Sequence, residues 1–146
     1  QTPRSLLTKA PIAADTVADS ISAGLPRDRV KAMRAVCESK GRFVRVADAD
    51  ILAAVPALAR ACGVFAEPAG AAALAGLVTA AADGLIAPTD TVCLVATGSG
   101  LKDPGAVAAA LSAPSAAAPA ADGPVDVDPD PAALDEALSR LNLDQS

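Results

Sequence analysis

The chain has 146 residues, 52% of them apolar, and 12 Lys+Arg against 17 Asp+Glu give a net charge of −5. There is no His, which excludes a His-based triad, general base or metal ligand, and acidity without a basic stripe argues against nucleic acid as a partner. Two Phe with no Tyr or Trp leave the core to Ala, Val, Leu and Ile, in one domain or part of a larger one.

Residues 1–15 read as irregular, punctuated by Pro3 and Pro11. Charge and Pro stand where a secretory signal would be apolar. A helix is expected from Asp15 or Thr16, with Val17, Ile21 and Leu25 on one face and Gly24 and Pro26 ending it. A second runs from Arg27 to Ser39, carrying Val30, Met33, Ala35 and Val36, with Gly41 as its C-cap. Arg42 to Val46 alternates polar and apolar, a short strand exposed on one side. Asp48 or Asp50 then caps a helix with the stripe Ile51, Leu52, Val55, Leu58 and Ala59. Pro56 inside it predicts a late start or a kink. After the apolar stop Val64-Phe65-Ala66, Pro68 suits a first helical position. The helix from there reaches about Asp83, and Gly84 ends it. Its small residues Ala69, Gly70, Ala73 and Gly76 offer a bare surface, for tight packing or, less simply, for a ligand.

Thr91 to Ala96 is nearly all apolar and reads as a strand buried on both faces, as in a parallel sheet covered by helices. Another helix is expected from Pro104 to Leu111. Residues 112–130 are an Ala/Pro-rich linker, and 131–146 a helical tail with Leu134, Leu138 and Leu141 on one face. The uncharged run Pro68 to Ala82 is too short for a membrane span, and Pro104 to Ala121 is broken by Pro114 and Pro119.

The strongest local signal is the strand followed by Thr97-Gly98-Ser99-Gly100. Ligands of open α/β sheets bind beyond the carboxyl ends of strands. Thr97 offers a hydroxyl on a stiff side chain. Gly98 and Gly100 permit positive φ and close approach of a ligand to the backbone. On its own such a Gly-x-Gly is equally a plain turn.

Three stretches in order carry a family resemblance: Thr16-Val17-Ala18-Asp19-Ser20-Ile21 with Gly24 and Pro26; Gly63 to Ala72, containing Glu67-Pro68-Ala69-Gly70-Ala71; and Val95 to Pro104, containing Thr97-Gly98-Ser99-Gly100-Leu101-Lys102-Asp103. From about Pro11 to Leu111 the chain resembles the C-terminal portion of the pyridoxal-phosphate-dependent threonine synthases. These are fold type II enzymes related to tryptophan synthase β and threonine dehydratase. The resemblance implies an α/β fold, an open and mostly parallel sheet covered by helices, with residues 1–111 as the C-terminal part of the catalytic domain. It implies pyridoxal phosphate as cofactor, with the Thr97 hydroxyl on the pyridine nitrogen and Gly98 and Glu67 beside it. A neutral hydroxyl does not hold that nitrogen protonated, which suits elimination and replacement chemistry. Glu67 would sit at a helix N-terminus, where the dipole favours negative charge; a plain helix-start acid is its structural alternative.

The resemblance further implies conversion of O-phosphohomoserine and water to threonine and phosphate, a small amino-acid substrate, a cytoplasmic setting and a homodimer as the full-length enzyme. Threonine or serine dehydratase and a non-catalytic α/β binding module are the alternatives. The family's Schiff-base lysine lies in a segment upstream of the match, so the chain alone is expected to be inactive. Lys102 is not that lysine, and Lys9, Lys31 and Lys40 read as surface charges.

Smaller signals have simple readings. Arg27, Asp28, Arg29 and Lys31 form a solvated helix face rather than a phosphate site. Cys37, Cys62 and Cys93 show no metal spacing and suit a reducing compartment, with Cys93 expected buried in its strand. Asp126, Asp128 and Asp130 alternate without the Gly and Glu of a calcium loop.

Overall fold

The computed structural model describes residues 10–112 and 125–141. The expectations for Lys9, for most of the linker and for the last residues of the tail fall outside them. Five α-helices follow in order: α1 Arg29–Glu38, α2 Asp48–Cys62, α3 Pro68–Ala82, α4 Pro104–Ser112 and α5 Pro131–Arg140, with short 3₁₀ turns at Asp19–Ile21 and Gly100–Lys102. No helix among the described residues is long and apolar enough to cross a membrane.

The core is α2 packed on α3, with α4 laid on α2 and the first 3₁₀ turn on α3. Ile51, Ala54 and Val55 of α2 meet Ala71 and Ala75 of α3 and Val107 and Ala110 of α4, with Ala18 beneath them. Alanine at these positions lets helix backbones approach closely, at the packing density of an organic crystal. Val55 is 1% exposed and Val107 2%. Each such valine contributes about 1.5–3 kcal/mol through burial.

Helix ends follow local rules in most places. Pro68 stands at the first position of α3. Gly84, at φ 69°, closes it: its N–H donates to Ala81 O, and the Leu85 N–H to Ala80 O. Asp130 caps α5 through Oδ2, which accepts from the Ala133 N–H at 3.3 Å. At α1 the cap is shifted by one residue. Lys40, not Gly41, takes the left-handed conformation (φ 56°), and the Gly41 N–H reaches Val36 O at 2.8 Å. Helix α2 begins at Asp48 and runs through Pro56 to Cys62. The Asp50 carboxylate turns back to the Ala47 N–H at 3.3 Å.

Several expectations are corrected. The helix from Asp15 or Thr16 to Leu25 is only the turn Asp19–Ile21. The Thr16 hydroxyl donates to Asp48 Oδ1 at 2.5 Å, and Asp48 Oδ2 accepts the Val17 N–H at 3.1 Å, so this segment is tied to α2 instead. Neither Arg42–Val46 nor Thr91–Ala96 forms a strand; the described residues hold one isolated antiparallel bridge, Ala66 with Ser99. Nor is the second segment buried on both faces: Val92 is 43% exposed and Val95 71%, and Cys93 is exposed with the other two cysteines. The reason is cooperative. A strand exists only through hydrogen bonds to a neighbour, and no described residue offers either segment a ladder. In α5, Ala137 is the buried residue, while Leu134 is 49% exposed.

Candidate functional site

Two of the three stretches singled out in the sequence come together. The Gly100 N–H donates to Phe65 O at 3.0 Å, and the Glu67 N–H to Gly98 O at 3.3 Å, on either side of the Ala66–Ser99 bridge. This joins the entry of α3 to the turn that leads into α4.

Glycines make the join possible. Gly98 is left-handed at φ 75°, and a Cβ there would overlap the Glu67 carboxylate. A Cβ at Gly70 would overlap the Thr97 carbonyl, and one at Gly100 would lie 2.6 Å from the Phe65 ring. At Gly70, Gly98 and Gly100 the space beside the glycine is therefore filled by a group of the other motif. Tight packing is thus the use of Gly70. Gly76, on the same helix, has open space beside it.

The remaining side chains of Thr97–Asp103 divide their duties. Ser99 Oγ accepts the Leu101 N–H at 3.3 Å and caps the 3₁₀ turn. Asp103 Oδ1 accepts the Ala106 N–H at 3.1 Å and caps α4. The Lys102 ammonium donates to Glu67 Oε1 at 3.2 Å and lies 3.1 Å from Oε2. Thr97 is exposed, and among the described residues no hydrogen bond holds its hydroxyl. Of the polar side chains in this motif, Thr97 is the one with no hydrogen-bond partner among the described residues.

Glu67 is 5% exposed and is the buried charged residue of the described structure. It occupies the N-cap position of α3, yet its side chain caps no helical N–H. Lys102 takes that carboxylate at the helix N-terminus. Beside the pair opens a cleft of about 380 Å³, lined by Asp19, Ser20, Glu67, Pro68, Ala69, Lys102 and Asp103. Asp19 and Ser20 were not legible as site residues. They belong to the first stretch, which carried the family resemblance but no chemical signal of its own. The Glu67–Lys102 pair was equally hidden, because the partners are 35 residues apart.

The charged run at α1 is a solvated face. Lys31 pairs with Asp28 at 3.1 Å with both side chains over three-quarters exposed, and Arg29 donates to Pro26 O at 3.2 Å.

Comparison with known proteins identifies the family. Residues 3–98 match the family described as pyridoxal-phosphate dependent enzyme. Threonine synthase of Mycobacterium tuberculosis (strain ATCC 25618 / H37Rv) is 48% identical over 90 residues, covering 62% of this chain and 25% of that protein. Threonine synthase of Halalkalibacterium halodurans is 47% identical over 90 residues, with the same coverage. That of Methanocaldococcus jannaschii is 38% identical over 100 residues, covering 68% of this chain and 25% of the relative. The chain thus spans about a quarter of the length of these curated relatives. With a match over more than half its length, the chain belongs to the pyridoxal-phosphate-dependent enzymes, in a threonine synthase-like form of their α/β fold type II.

Proposed function

We propose that this chain supplies part of the cofactor site of a threonine synthase-like lyase, a cytoplasmic homodimer that converts O-phosphohomoserine and water to threonine and phosphate. One observation carries the reading. In the segment Thr97–Asp103 the glycines, Ser99, Lys102 and Asp103 each hold the turn, while Thr97 is exposed and its hydroxyl has no partner among the described residues.

The residues present fit pyridoxal phosphate at its pyridine edge. The Thr97 hydroxyl would donate to the ring nitrogen, and Gly98, whose bare Cα is covered by the Glu67 carboxylate, would hold the turn beside it. When bound, the cofactor supplies an electron sink for negative charge developing on the substrate carbons. The part of this chain is to orient the ring and leave its nitrogen unprotonated, because a hydroxyl does not stabilise a pyridinium as a carboxylate would. Glu67, neutralised by Lys102, would shape the wall beside Gly98 rather than touch the reacting atoms. The segment Thr91–Ala96, which has no ladder here, would then join a parallel sheet with strands from elsewhere in the enzyme.

The test is Thr97→Val in the complete enzyme. The substitution keeps volume and removes one hydrogen bond, worth about 0.5–1.5 kcal/mol. Cofactor affinity should fall roughly twofold to tenfold, with the thermal midpoint unchanged. Titration of the apoenzyme with pyridoxal phosphate measures it, and identical affinity would remove Thr97 from the site.

A further inference from the structure

Within the turn, Lys102 is the residue whose side-chain hydrogen bond leaves its own segment. Its partner Glu67 is 5% exposed, and the ammonium faces both carboxylate oxygens at 3.2 and 3.1 Å. The same carboxylate fills the space beside the Gly98 Cα. Gly98 directly follows Thr97 and is held at φ 75°. The contacts therefore run from Lys102 Nζ to the Glu67 carboxylate, to the Gly98 Cα, to Thr97. We propose that Lys102 is a positioning residue: its ammonium keeps Glu67 seated against Gly98 and thereby fixes the direction of the Thr97 hydroxyl. This rests on the reading of Thr97 as a cofactor partner given above.

The physical reason is that a buried carboxylate does not stay charged in place without its counter-charge. Without Lys102, Glu67 must swing toward water, which loosens the packing beside Gly98 and releases the turn. The Lys102 side chain is itself 59% exposed, so truncating it opens no core cavity. That separates a role in positioning from one in packing.

Amide hydrogen exchange on the full 146-residue chain reads the lock at Glu67 and Gly100, whose N–H groups bond across the turn. Lys102→Met should speed exchange at both by about tenfold or more while α2 amides keep their protection. Lys102→Arg should restore the slow rates, because a guanidinium matches a carboxylate with two donors. Unchanged exchange at Glu67 and Gly100 in Lys102→Met overturns the proposal. So does loss of protection throughout α2, and so does failure of Lys102→Arg to restore it. In the complete enzyme, Lys102→Met should move the visible absorption maximum of the bound cofactor in the same direction as Thr97→Val. A maximum moved by Thr97→Val and not by Lys102→Met overturns the positioning of Thr97. A Thr97→Val maximum that does not move sinks the cofactor reading instead, while the exchange rates still decide the lock.

Discussion

Gly98 combines two constraints at one residue: a left-handed backbone, and a neighbour, the Glu67 carboxylate, where a Cβ would go. The backbone alone costs a non-glycine residue about 1–3 kcal/mol, and the carboxylate must move as well. Gly98→Ala should therefore lower stability by at least about 1 kcal/mol and shift the urea midpoint with an unchanged slope. A midpoint equal to that of the parent would show that the turn relaxes freely. The position of Gly98 was legible, since a glycine after an apolar run marks a turn. Its tight partner was not, because nothing local ties residue 98 to residue 67. Thr97 was legible for the same reason as Gly98, and it is exposed.

At the scale of elements, helix α3 shows how an alanine-rich sequence divides into faces that composition cannot distinguish. Ala75 is 3% exposed within the core, whereas Gly76 has no atom within 4 Å of where a Cβ would stand. Opposite responses are expected from neighbouring positions. Ala75→Leu overpacks the contact with α2 and should destabilise by about 1–3 kcal/mol. Gly76→Ala adds helix propensity in open space and should stabilise by about 0.5–1 kcal/mol. Chemical denaturation of the two variants checks the pair; equal signs would mean that the faces are misassigned. Four of the helices were read closely from their punctuation. Pro68, Gly84 and Pro131 act within one turn of themselves, so their effect is written locally. The helix expected from Thr16 failed because its N-cap hydroxyl is drawn to Asp48, 32 residues away.

For the whole molecule, the decisive feature is apolar surface without cover. Phe43 is 63% exposed, Val95 71% and Leu101 80%. These belong to segments that read as strand or as motif, and a face of this kind promotes association. Val95→Lys should be nearly neutral in this chain and should raise its solubility. In the complete enzyme the same change would bury a charge in the proposed sheet, and assembly or cofactor retention should be lost. Tolerance in both settings would argue against the sheet. The described lysines also bear on activity. Lys102 is engaged by Glu67 and Lys31 by Asp28. Incubating the chain with pyridoxal phosphate and then borohydride should give no stoichiometric label at any single lysine. One fully labelled lysine, located by mass spectrometry, would contradict the proposed division of labour.

The sequence by itself determined the helix boundaries at α3, α4 and α5, the cofactor family and the candidate hydroxyl, because punctuation and short motifs act over a few neighbouring residues. The tertiary structure alone decided that Glu67, at the N-cap of α3, pairs with Lys102. It also decided that Lys40 takes the left-handed cap and that Thr91–Ala96 stands without a ladder. Most of these outcomes depend on which distant group arrives within a few ångströms, and a strand or a buried charge has no stable form until its partner is in place.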